Sequence, residues 1–551
     1  MSLPDFSTQS SLFSTAALSG KLFAEDDRYG LFGKLIYAKL VAVRPDLAAC
    51  YCADNGREAI EPVLMLGVSL LQFIDGVTDR GAVEALRYHA GWNFALNRQV
   101  GDELFHPSSL ANFRSRLIEH GLSALGFEAI LDGLVEAGLV ARRSRQRLDS
   151  TQIFAQISRM SRLECVRETL RLALEELEEM TRLEPRPEFW QPLWERYVES
   201  QLDYRTEASV LQQKMTQAGT EAAQLLEWLR RLENKEPFQG EQVKLLERVW
   251  NENFQMKEGQ TQQREAQPAG AVHNPHDAQA QWAAKGQGKH KKEHVGYKAQ
   301  VAETVKEGKL EKGEPTRNFI TAMVTQPAIG SDDAGLPLVE QEQAEMGLEK
   351  PSAWHVDGAY VSAERLAQAQ SEDRELIGPA QSAPKKEGRF SVEDFQLKVE
   401  ERKGVCPAGK ENTQCSRLEE EGTGKVSYRF EWSTHCHDCP LREQCLGKDQ
   451  RHRTVVVGEH HTVLQARRQE QRSKEFKEKA KARNAIEGTQ SELVRAHGLR
   501  RARYRGLSKV RLQNYMIGAA CNIKRWIRRL IWSMQKAARH SVVCAPAAAA
   551  N

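Results

Sequence analysis

The sequence contains no uncharged apolar run long enough to cross a bilayer. The longest, Val63 to Ile74 within EPVLMLGVSLLQFIDG, falls well short of the ~20 residues a spanning helix needs, which excludes a membrane-embedded helical protein. The N-terminus, MSLPDFSTQSSLF, has no basic stretch followed by an apolar core; no secretory signal is visible and a cytoplasmic chain is expected. Aromatics are sparse at 7%, and 78 basic against 75 acidic side chains leave a net charge of only +3, so total charge points to no partner. Cysteine is scarce as well, ten in 551 residues, which excludes a disulfide-stapled scaffold. What is present, 40% apolar and 28% charged residues, suffices for about three or four domains with real cores.

The distribution of charge says more than its total. From His461 to His540 there are 21 Lys and Arg against 5 Asp and Glu, whereas the stretch from Leu174 to Glu199 is rich in Glu. The first suits a polyanion and the second reads as a solvated helical surface. Cysteines are uneven too: five of the ten fall between Cys406 and Cys445. In a reducing compartment such a cluster suggests metal binding before disulfides.

Hydrophobic periodicity divides the chain. Residues 1–140 carry apolar residues at three- and four-residue spacing, which predicts a helical N-terminal domain. Within it Ser108 or Ser109 is a candidate helix cap, and Arg114 and Arg116 lie opposite Leu110, Phe113 and Leu117, suited to phosphate contact or to an ordinary solvated face. Residues 141–159 change period: Leu148, Thr151, Ile153 and Phe154 surround a single acid, Asp149, as in a buried strand. Residues 160–262 predict an inserted helical hairpin. Gln, Gly, His and Lys dominate 257–292, which reads as a loop with a surface turn at His273, His276 and Asp277. Across 263–380, VGYKAQVAETV, NFITAMVTQPA, SAWHVDGAYV and RELIGPA read as strands, with LPLVEQEQAEMGL and SAERLAQAQ as helices, a mixed α/β domain carrying Asp357. Residues 381–457 form a cysteine-bearing insertion, 458–540 long basic helices, and 541–551 a disordered tail.

Asp149 and Asp357 each sit in an apolar strand, where an ionised carboxylate without a partner is costly. A third acid, Glu487, lies on a predicted helix one turn after Arg483. Three carboxylates gathered at strand ends and a helix would form a hard, all-oxygen site for two Mg²⁺ or Mn²⁺ ions, able to activate an oxygen nucleophile at a phosphodiester. Downstream, Arg500, Arg501, Arg503 and Arg505 surround Tyr504. The next helix aligns Leu512, Met516, Ala519, Ile523, Trp526 and Leu530 for packing, leaving Lys524, Arg525, Arg528 and Arg529 to meet phosphate. In the cysteine cluster, Cys436, Cys439 and Cys445 follow Cys406 by some thirty residues, with Cys415, His435 and His437 in reserve. Four thiolates would complete a tetrahedral structural zinc site; the alternative is free thiols.

The residues DSTQI at Asp149, HVDGAY at Asp357 and RNAIEGTQSELVRAHGLRRARYRGLSKVRLQNYMIGAACNIKR from Arg483 resemble DDE transposases of bacterial insertion sequences, closest to the insertion-sequence eleven-eighty-two family. The resemblance covers nearly the whole chain, with GYKAQVAET and NFITAMVT similar to the second and third core strands. It implies a ribonuclease H-like mixed-sheet catalytic core, Asp149, Asp357 and Glu487 as the triad holding two divalent ions, and Arg483 on phosphate near the scissile bond. It further implies double-stranded DNA as partner, a homodimer on paired ends, and cleavage followed by transfer of the 3′-hydroxyl strands to target DNA. The related Tyr, Arg, Glu, Lys motif is met at Arg483 and Glu487 and departs at Ala480 and Val494. Two rival readings are a metal-dependent nuclease on the same core that does not join, and a non-catalytic DNA-binding relic.

Overall fold

Leu148 and Ile153 point to opposite faces of strand β1 (Arg145–Phe154) and both are fully buried, so this strand needs a packed layer on each side. The computed structural model describes residues 1–6, 13–52, 55–99, 101–180, 186–200, 207–285, 291–422 and 424–543. The expected tail lies outside these from 544 onward, and 541–543 belong to the last helix. On one edge β1 pairs antiparallel with β2 (Lys292–Thr304), which pairs antiparallel with β3 (Ile320–Pro327). On the other edge it pairs parallel with β4 (Ala353–His355), which pairs parallel with β5 (Glu375–Ile377). The order is therefore β3-β2-β1-β4-β5, a mixed sheet in an α/β fold. Helices Asp332–Glu345 and Ala363–Ser371 make the connections that the last two strands require.

One face of this sheet packs Leu148, Ala302, Trp354 and Tyr360 against those two helices. The other face meets the helix Leu507–Val543. Leu512, Met516, Ile523 and Trp526 on that helix join Ile153, Tyr297, Met323 and the N-terminal residues Leu66 and Phe127 in one continuous core. The edge strand β3 would expose backbone groups, and Asn522 covers them: its Oδ1 accepts from Ile320 N–H at 2.9 Å and its Nδ2 donates to Ile320 O at 2.9 Å. The apolar run Val63–Ile74 forms most of helix Pro62–Asp75, buried inside the N-terminal bundle. No single helix among the described residues is long and apolar enough to cross a membrane.

Several expectations are corrected. The insertion is a bundle, not a hairpin: Arg162–Glu179, Ala208–Arg231 and Glu241–Asn253 enclose their own core, because each carries an apolar stripe that a two-helix pair would leave open. The supposed loop holds a β-hairpin, Phe254–Lys257 with Gln260–Gln263, and a strand, Gln281–Lys285, on the end of β2. Asp277 is buried rather than on a surface turn, and takes the Tyr297 hydroxyl at 2.6 and 2.7 Å. The basic region breaks into short helices before Ile486–His497, and only Leu507–Val543 is long. The Ser108 N–H is capped by the His106 ring at 3.2 Å, with Pro107 in the cap position. Finally, β4 ends at His355, so Asp357 stands just beyond the strand.

A buried ionic cluster ties these parts together. Glu303 on β2 is fully buried and accepts from Arg147 Nε at 2.7 Å, Arg525 Nη1 at 3.0 Å and the Thr489 hydroxyl at 2.8 Å. Arg525 also donates to Glu492 Oε2 at 3.0 and 2.8 Å. Four segments distant in sequence thus meet on one carboxylate.

Removing it strands two buried guanidiniums, so Glu303→Ala should cost about 3–5 kcal/mol in equilibrium urea unfolding; a loss under ~1 kcal/mol would show that the cluster contributes little. His461 and His497 give a pH signature. Burial pushes both down to about 4, helped by Arg468 and by Lys524 respectively. An unfolded histidine titrates near 6.5, so the stability tied to their neutral forms is complete above that pH and is lost as pH falls toward 4. The urea midpoint should drop between pH 7 and pH 5, by a ceiling of roughly 2 kcal/mol per histidine, and His497→Gln should flatten that slope.

Candidate active site

Two aspartates from neighbouring parallel strands are anchored in the same way. Asp149 lies mid-strand on β1, and its Oδ1 accepts from the Ser150 N–H at 2.9 Å. Asp357 caps the turn Gly358–Tyr360 that follows β4, and its Oδ1 accepts from the Ala359 N–H at 2.9 Å. Each then turns Oδ2 toward a single atom: Arg483 Nη2 lies 3.0 Å from Asp149 Oδ2 and 3.7 Å from Asp357 Oδ2. Two carboxylates this close repel unless a cation stands between them, and the guanidinium supplies it.

Arg483 reaches this point because its backbone is tied to the sheet. Arg147 Nη1 donates to Ala482 O at 2.9 Å, Gln490 Nε2 donates to Ser150 O at 3.2 Å, and Thr489 is held by Glu303. Glu487 is the second residue of helix Ile486–His497, three before Gln490 and so on its side of that helix, while Arg483 lies on the 3-10 turn Lys481–Ala485 just before it. Its side chain is exposed, and it enters no ion pair among the described residues. The structure thus brings Asp149, Asp357 and Arg483 into contact, and Glu487 stands exposed at the start of the helix that follows Arg483.

Sequence reasoning missed two neighbours. Tyr360 is buried and donates to Gln300; burial and the carboxylates of Asp332, Asp149 and Asp357 push its phenol up, so it stays protonated. Asp332, at the start of helix Asp332–Glu345, would be raised by burial, but Lys298 at 3.0 Å outweighs this and holds its carboxyl below the usual range. That dedicated lysine distinguishes Asp332 from the two aspartates that share Arg483. The signal available was Lys298, a cation between Tyr297 and Ala299 in the alternating part of β2.

The basic residues split into two groups. Arg501, Arg505 and Arg528 are exposed, and Arg500 is half-buried above the Phe154 ring at 5.9 Å. The others expected on a DNA surface turn inward. Arg525 is buried on Glu303 and Glu492, and Arg114 is buried against Asp79 at 2.5 Å and the Tyr504 ring at 4.9 Å. Arg503 stacks on Phe73 at 4.6 Å, and Arg116 lies over Tyr51 at 4.3 Å. Lys524 donates to Ile74 O at 3.1 Å, where burial pulls its ammonium down. These cations sit where helices meet, which a charge count along the chain does not register.

Cys406, Cys436, Cys439 and Cys445 line one small cavity, and the nine described cysteines are all free. Of the reserve ligands His435 reaches that cavity, whereas His437 is exposed beside Asp438 and Cys415 lies on a strand opposite Phe430. Among the described residues, three metal-capable atoms come within 4.8 Å of one another only at Glu492, His497 and Cys521. There Glu492 already holds Arg525, and Lys524 acts on His497, so the surroundings are cationic and unsuited to a metal ion.

Comparison with protein families gives two matches. Residues 405–527 match the Transposase DDE domain, and residues 19–116 match the Transposase domain (DUF772). The first takes in the cysteine-bearing module, Arg483, Glu487 and the first part of helix Leu507–Val543; the second takes in the N-terminal helices through Arg116. Both leave out 117–404, which carries Asp149 and Asp357. Together they support an insertion-sequence transposase, an enzyme that acts on DNA. Among curated proteins the chain has no match.

The inward and outward cations should separate in a thermal melt. Arg525→Ala should destabilise by about 3–5 kcal/mol, whereas Arg501→Ala with Arg505→Ala should stay within about 0.5 kcal/mol of the parent. Equal losses would mean that Arg525 is not held as described.

Proposed function

We propose that this chain is a DDE transposase, similar to the insertion-sequence eleven-eighty-two family, that cleaves element ends and transfers the 3′-hydroxyl strands to target DNA. The observation that carries this reading is the convergence of Asp149 and Asp357, from parallel neighbours β1 and β4, on one cation beside the Glu487 helix. The strand order β3-β2-β1-β4-β5, with three antiparallel strands followed by two parallel ones, supports a ribonuclease H-like core.

The donor set fits hard divalent cations. Two aspartate oxygens already turn toward a shared positive charge, and an exposed glutamate stands on the adjoining helix face. Asp149, Asp357 and Glu487 would hold Mg²⁺ or Mn²⁺, and a bound pair of such ions supplies an activated oxygen nucleophile and stabilises the leaving oxygen. Arg483, on the same side, meets a phosphate oxygen near the scissile bond. Tyr360, kept protonated behind the two aspartates, lends them no negative charge and holds the sheet through Gln300. Exposed Arg501 and Arg505 contact the DNA backbone, and two copies of the chain act on paired ends.

The test uses pre-cut and uncut element-end DNA, taken from inverted repeats flanking the reading frame, with a plasmid target and Mg²⁺ or Mn²⁺. Asp149→Asn, Asp357→Asn and Glu487→Gln should each lower cleavage on the order of 10³-fold while end binding in a gel-shift assay holds. Full cleavage by Asp357→Asn would overturn the assignment. Cleavage without joining of pre-cut ends would reduce the protein to a nuclease.

A further inference from the structure

The cysteine-bearing module carries a long irregular segment over a small core. Between strands Val426–Glu431 and Thr454–Gly458 the chain has one helical turn, Arg442–Cys445, as its only regular element. Beneath it the core is a single small cluster around Phe395, Phe430 and Trp432. A segment of this length in so small a module needs an anchor beyond apolar burial.

Four cysteines gather at one place in this module. Cys406, from the turn after strand Lys403–Val405, and Cys436, Cys439 and Cys445, from the irregular segment, line a cavity of about 20 Å³, room for one water-sized particle. Their backbones are pinned. Cys406 N–H donates to Lys410 O at 2.9 Å and its carbonyl accepts from Gly409 N–H at 2.8 Å, with Gly409 left-handed at φ 76°. The Cys439 carbonyl accepts from Arg442 N–H at 3.1 Å, and the Arg453 N–H donates to Cys436 Sγ at 3.4 Å.

Two guanidiniums complete the lining. Arg442 donates to Cys436 O at 2.8 Å and Arg453 to Cys445 O at 3.2 Å. The cavity lining holds two cations and no carboxylate, and a divalent cation with four thiolates carries a net charge of −2, which the two cations balance.

We propose that Cys406, Cys436, Cys439 and Cys445 bind one structural Zn²⁺, with Arg442 and Arg453 compensating the charge of the tetrathiolate. The four cysteines line the cavity, and Cys406, Cys436 and Cys439 lie near enough to act on Cys445, without three of the sulfurs lying within 4.8 Å of one another. Zn–S bonds of about 2.3 Å bring them to about 3.8 Å apart through side-chain rotation. A disulfide would use two of the four and leave two unused beside the arginines. None of the four cysteines is among the residues proposed to hold Mg²⁺ or Mn²⁺, so failure here leaves that reading untouched.

The full-length chain, purified without added metal or chelator, should contain about one zinc per chain. Four thiols should resist a thiol reagent until a mercurial releases the metal. Cys439→Ser should lose the zinc, and Cys415→Ser should keep it. If the Cys439 variant does not fold, wild-type protein loaded with Co²⁺ reports instead: intense thiolate-to-metal absorption with a four-sulfur tetrahedral visible band is expected. Zinc-free protein with four freely reactive thiols and no Co²⁺ uptake would overturn the proposal. So would bound iron, a disulfide among the four, or a three-sulfur spectrum that His435→Ala abolishes.

Discussion

One carboxylate without solvent, Glu303, governs the spacing of everything around it. A fully buried charge is tolerable only when its lone pairs are taken up, and here two guanidiniums and a hydroxyl take them up from three other segments. Arg147 is two residues before Asp149 on the same strand, and Thr489 is two residues after Glu487 on the same helix. The cluster therefore sets the distance between the acid-bearing strand and the acid-bearing helix. Clusters of this kind contribute more to choosing one arrangement than to net stability, since the desolvation cost absorbs much of the Coulombic gain.

Helix Leu507–Val543 works in the same structural sense. Its apolar stripe joins the N-terminal bundle to the sheet in one core, Asn522 covers the free backbone of β3, and Arg525 reaches the buried carboxylate. The helix thus makes the N-terminal helices and the pocket parts of a single packed body. Its positive charge serves two ends: part is spent inside on Glu303, Glu492 and Glu314, and part remains at the surface.

The aspartate pair shows how two like charges are kept close together at low cost. Each carboxylate satisfies one oxygen with a backbone N–H of its own turn or strand, a local bond that fixes the rotamer, and leaves the second oxygen for a partner outside. Local chain geometry orients each acid, and Arg483 offsets their mutual repulsion. Asp332 sits close by yet stands apart, because Lys298 is its own.

Much of this was legible in the amino-acid order. The change of period at residue 145, the alternation through Val295, Tyr297, Ala299 and Val301, and the lone acids Asp149 and Asp357 are local patterns, and burial of one side chain in two, or of both faces, writes itself into a strand directly. The closeness of Arg483 and Glu487 in the chain is likewise local, although a 3-10 turn carries the first and helix Ile486–His497 the second. The fate of individual charges was not legible. Arg525 and Arg501 look alike in the chain, but one ends beneath a helix on Glu303 and the other in solvent, and that depends on which surfaces meet after long-range packing. Asp277, the three-helix insertion and the Lys298–Asp332 pair were hidden for the same reason. Periodicity reports how an element divides inside from outside; only tertiary structure decides which neighbour stands on the inside, and hence whether a charge there is a buried tie or a surface contact.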